Sequence, residues 1–98
     1  MYGTIFNLKV KNGHAQLLID YMKELESPEG MVAWFLMDPD VDRSDWIGVA
    51  VFKDKESHIS NAKRPQQHEN FMEMMKHLDE EPTWTDGTYV IGNLNCDS

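Results

Sequence analysis

The chain has 98 residues, of which 41% are hydrophobic and 27% charged, and a formal net charge of −8. That length bounds the fold to one domain over residues 1–98 with a thin core, and the composition is globular, not disordered. The acid excess excludes a general nucleic-acid binder and disfavours an anionic membrane surface. One cysteine, Cys96, leaves no internal disulfide and no cysteine-based zinc site.

Tyr2 to Lys11 alternates, with Thr4, Phe6, Leu8 and Val10 on one face, which predicts a strand with one buried face. Lys11-Asn12-Gly13 is a turn. From His14 to Glu26 the period becomes helical: Ala15, Leu18, Met22 and Leu25 form an apolar stripe, with Ile19 beside it. Ser27-Pro28-Glu29-Gly30 stops that helix.

Met31 to Met37 is apolar at every position, and Trp46 to Phe52 nearly so. Both runs predict strands apolar on both faces, joined as a hairpin through the polar segment Asp38 to Asp45. One face can lie under a helix; the other needs a cavity, a ligand or a second subunit. Asp54 is a helix N-cap, and a short helix spans about Lys55 to Lys63. Pro65 suits the first turn of the next helix, Gln66 to Leu78, whose stripe is Phe71, Met75 and Leu78. Asp79 to Pro82 breaks that helix, Asp86-Gly87 reads as a turn, and Thr88 to Leu94 as the last strand.

The order is β-α-β-β-α-α-β. It predicts the α+β, ferredoxin-like class: a four-stranded antiparallel sheet with helices on one face. No apolar run nears the ~20 residues of a membrane helix and no signal peptide opens the chain, so a reducing cytoplasm is the expected compartment.

This order, with several local signatures, resembles the antibiotic biosynthesis monooxygenase family of dimeric α/β barrels. The matching pieces run from about Tyr2 to Leu94. They are the strand, Lys11-Asn12-Gly13 and helix; Pro28-Glu29-Gly30; the Asp-rich hairpin loop; Phe52-Lys53-Asp54-Lys55-Glu56-Ser57; Asn61-Ala62-Lys63-Arg64-Pro65-Gln66-Gln67-His68; and Asp86-Gly87. The resemblance implies a homodimer whose sheets pack face to face, and an apolar pocket between sheet and helices in each subunit. It implies either a cofactor-free oxygenase of a small apolar or aromatic compound, or a non-catalytic protein on the same fold. Phe52 stands where the family usually has Trp. The haem-degrading branch needs an Asn at the position of Phe6 and a Trp at that of Asn61, so haem is disfavoured and no cofactor is expected.

Among candidate residues, His68 lies on the Phe71–Met75 stripe, which aims an ionisable group along an apolar face. It is either a base for a phenolic substrate or a partly exposed histidine near a helix start. Asn61, Trp34, Trp46, Phe71 and Tyr89 are the expected pocket residues, although Trp and Tyr serve equally well as core or dimer contacts. His58 and His77 are read as lying away from that pocket. Met72, Met74 and Met75 are either a pliable wall or ordinary packing. Asp38, Asp40 and Asp42 resemble the start of a calcium loop, but Arg43 replaces its glycine and Val49 its terminal Glu. The four histidines show no i, i+4 pairing, so no metal site is expected. Cys96 is too near the end of the chain to be read as a nucleophile.

Overall fold

A computed structural model describes residues 1–42 and 44–95. Its elements are β1 (Tyr2–Leu8), α1 (Ala15–Lys23), β2 (Met31–Met37), β3 (Trp46–Phe52), α2 (Lys55–Ala62), α3 (Pro65–Met75) and β4 (Thr83–Thr88). The strands form one antiparallel sheet in the order β2-β3-β1-β4, which with three helices is the ferredoxin-like arrangement. Arg43, on which the calcium-loop reading turns, and Cys96 lie outside the described residues.

Alternation sorts β1 by face. Thr4, Phe6 and Leu8 are buried while Ile5 and Asn7 are exposed. Cross-strand register carries that sorting into β3, where Phe6 lies opposite Gly48 and Thr4 opposite Ala50. The core consists of Phe6, Leu8, Ala50 and Phe52 from the sheet, Leu18 from α1, and Leu78 after α3. Leu8 and Leu18 are fully buried, so the α1 stripe docks where its period directs it. Gly48 is required where it stands, because a Cβ there would run into the Phe6 ring.

β2 carries one irregularity. Met31 pairs with Phe52 and Ala33 with Val51, so Val32 is extra and the ladder bulges there.

The last strand departs from expectation: it is Thr83–Thr88, not Thr88 to Leu94. Six consecutive pairs, from Asn7↔Thr83 to Tyr2↔Thr88, tie it to β1. The Asp86-Gly87 pair is not a turn. A hairpin turn would need a positive φ at the glycine; among the described residues only Gly13 and Gly30 have one. Gly87 instead lies opposite Gly3, and three β-branched threonines favour the extended chain. Val90 and Ile91, read from sequence as strand residues, are 90% and 89% exposed.

β2 and β3 keep the bounds expected of them, whereas β1 and the three helices end earlier than their periods suggest. β1 stops at Leu8, and Val10 forms an isolated bridge with Leu78. Asp54 caps α2 as expected, its Oδ1 accepting from the Ser57 N–H at 2.8 Å. That bond first, and then the further pull of Ser57 and Lys53, holds the Asp54 carboxyl below the usual aspartate value.

Among the described residues no helix or strand covers the second face of the sheet around Ile5, Phe35 and Met37. Phe35 is 65% and Met37 55% exposed, and Ile5 is exposed beside them. No helix among the described residues is long and apolar enough to cross a membrane.

Candidate functional site

A cavity of about 540 Å³ opens between the helices and the sheet. Its floor is the helix-facing side of the strands: Thr4 and Phe6 of β1, Ala50 and Phe52 of β3, and Trp84 and Asp86 of β4. Met31 and Trp34 of β2 close one side. The roof comes from His58 and Asn61 of α2, His68, Phe71 and Met74 of α3, and Met22 of α1. The walls are mainly apolar and aromatic, with a few polar groups, which is the make-up of a small-molecule site. The Phe6 and Trp84 rings meet at 4.9 Å between centroids, and Phe71 approaches Trp84 at 6.3 Å.

Four of the six residues singled out from sequence line this cavity: His68, Asn61, Trp34 and Phe71. Their placements differ. Asn61 is buried, whereas His68 is exposed and stands at the rim. Asn61 is oriented by Arg64, whose guanidinium donates to Oδ1 at 3.4 Å. A guanidinium can only donate, so the amide presents its oxygen to Arg64 and its N–H donors remain for a ligand.

Trp46 and Tyr89 do not line it. Trp46 lies opposite Leu8 and packs against the core beyond the cavity. Tyr89 follows β4 and turns onto the other face of the sheet. Its ring occupies the space that a Cβ on Gly3 would need, and its hydroxyl donates to the Ala50 carbonyl at 3.0 Å. Burial raises its phenol above the ordinary tyrosine value. Of the three methionines, Met74 lines the cavity, Met75 packs on the core and Met72 is exposed.

Among the cavity residues that the sequence does not announce as site residues are His58, Trp84 and Asp86. His58, expected to lie elsewhere, is half-buried between the rings of Tyr2 and Phe52, at 5.4 and 5.2 Å. Its spacing of three from Asn61 places both on one face of α2, and that was the available signal. Trp84 and Asp86 reach the floor through their register with Phe6 and Thr4.

No family model and no curated protein matches this sequence. Solved structures do. The crystal structure of an antibiotic biosynthesis monooxygenase superposes with a TM-score of 0.74 over 93% of this chain and 100% of that chain, at 13% identity. This chain has the fold of the antibiotic biosynthesis monooxygenases. A protein of unknown function from Nitrosomonas europaea aligns with a TM-score of 0.75 over 98% and 95% of the two chains, at 15% identity. A protein from Arabidopsis thaliana aligns at 0.74 over 96% and 100%, at 18% identity. At such identities the likeness concerns fold alone, and the same fold hosts many activities.

Proposed function

We propose that the chain is a cofactor-independent monooxygenase of a small aromatic or quinol-type compound. The observation that carries this reading is the aromatic-walled cavity with two imidazoles and an oriented carboxamide on its roof. Neutral His68 takes the phenolic proton, and its place at the rim lets it pass that proton to water. Asn61 donates to the anionic oxygen that results. Trp34 and Phe71 flank the ring, and His58, held between two aromatic rings, orients it. The electron-rich anion then reduces O₂ directly. At a ring methylene one oxygen atom becomes the carbonyl oxygen. The other leaves as water with the two methylene hydrogens, and the substrate supplies all four electrons.

Oxygen uptake over a set of quinols and anthrone-like phenols tests this. Removing a general base typically costs ~10²–10⁴ in rate, so His68→Ala should lose that much turnover with its circular dichroism unchanged. Equal turnover by His68→Ala and the parent overturns the role of His68. Quenching of tryptophan fluorescence by these compounds without oxygen uptake leaves a non-catalytic binding protein instead.

The active form we propose is a homodimer in which a second copy covers the bare face around Ile5, Phe35 and Met37. A stable dimer of this kind buries more than ~1,600 Å² in total. Light scattering should give twice the chain mass for the parent and the single-chain mass for Phe35→Asp. A folded monomer of the parent at micromolar concentration overturns the assembly.

A further inference from the structure

His14 and His77 do not line the cavity, yet they meet. The Nδ1 atoms lie 3.1 Å apart, with ring centroids 5.3 Å apart and planes inclined by 59°. The two residues are 63 positions apart in sequence, so the contact is made by the fold. His14 occupies the N-cap of α1, where its side chain makes no capping bond. His77 follows α3. A small backbone frame fixes both. The Lys11 N–H donates to the His77 carbonyl at 2.9 Å, the Asp79 N–H to the Lys9 carbonyl at 2.8 Å, and the His14 N–H to the Lys11 carbonyl at 3.0 Å. Leu78, next to His77, is buried and bridges Val10. The two rings are half-buried and converge on a position set by main chain on both sides.

Two facing imidazole nitrogens share a proton in the neutral pair, one donating and the other accepting. Their spacing is also the bite of a metal chelate. Nitrogens ~2.0–2.1 Å from one ion stand ~2.9 Å apart at a right angle and ~3.4 Å apart at the tetrahedral angle. The observed 3.1 Å falls between these limits.

We propose that His14 and His77 together chelate one divalent transition-metal ion of the zinc, nickel and copper series through their Nδ1 atoms. The shared proton moves from Nδ1 to Nε2 of the same ring, so each neutral imidazole offers an Nδ1 lone pair and no proton is lost overall. Imidazole ligands favour this series over magnesium and calcium. Among the described residues no cluster of three or more His, Cys, Asp or Glu side chains is placed to hold an ion, so the chelate is bidentate and water fills the remaining positions. The surroundings suit a cation. The chain as a whole carries −8, a field that draws cations rather than anions. Tyr21 stands beside His77 at 6.4 Å between rings, with its hydroxyl donating to the Asn70 carbonyl. A bound ion would tie the start of α1 to the end of α3.

Isothermal titration of the full chain with Zn(II), in a Cys96→Ser background that removes the thiol, tests the site. The parent should bind one ion per chain, and His14→Asn and His77→Ala should each weaken it by ~10-fold or more, at least the loss that follows removal of a supporting partner. His14→Asn supplies a good N-cap residue, so its fold is preserved and it decides the matter should His77→Ala fail to fold. With Cu(II), electron paramagnetic resonance should show coupling to two nitrogens in the parent and to one in either variant. Absence of saturable Zn(II) binding, as expected of a pair that only shares a proton, overturns the site. So does binding unchanged in both variants.

Discussion

The layer between helices and sheet has two ends that solve one packing problem differently. At one end Leu8, Leu18 and Leu78 close on each other, with exposures of 0%, 0% and 4%. At the other, Trp34 and Trp84 leave 37% and 45% of their surface open around the cavity. Both ends use the same strands. The difference lies in what covers them: the closed end receives the apolar stripe of α1, and the open end receives α2, whose only buried residue is the polar Asn61. Stability therefore concentrates at the leucine end and ligand contact at the tryptophan end.

The largest expected effect breaks the closed end. Leu18→Ala removes a fully buried side chain and costs ~2–5 kcal/mol. That is a large share of the ~5–15 kcal/mol of a typical domain, and denaturant titration will read it. Trp34→Ala at the open end should cost far less stability while weakening ligand binding, and the same pair of measurements separates the two ends. Next comes Gly48→Ala, at their boundary. The new Cβ meets the Phe6 ring, and overpacking of this kind costs ~1–3 kcal/mol. The displaced ring should also disturb Trp84, and its fluorescence reports the shift.

The smallest effect sharpens the account of α2. Asp54 is more acidic in the folded chain than in the unfolded one, because its carboxylate accepts from the Ser57 N–H. Its contribution is therefore present above the unfolded value and is lost as pH falls through the folded one. Asp54→Ala should remove that acid-side part of the pH–stability curve and leave the neutral-to-basic part parallel to the parent's. Thermal melts at acidic and neutral pH check it.

The sequence was most readable where a period ran uninterrupted against one neighbour. The alternation of β1 and the stripe of α1 predict their buried faces, because local pattern and burial coincide. β4 was misplaced because Asp86-Gly87 is a strong local turn signal, and only pairing with β1 overrides it. Trp84 and Asp86 were invisible for the same reason: register across strands distant in sequence brings them to the floor. Tyr89 went to the opposite face because Gly3 leaves room for its ring. His58 was legible through its spacing from Asn61, whereas nothing local announces that His14 and His77 touch.

The bulge at Val32 has a bearing on how this chain tolerates changes of length. A one-residue slip normally turns a whole strand inside out. Here Met31 and Trp34, three positions apart, both reach the cavity because Val32 takes up the odd residue. Loss of Val32 alone would give a regular ladder with both side chains still facing the ligand space. Position 32 is therefore a splice point in the sheet, where the chain can shorten by one residue without exchanging its inner and outer faces.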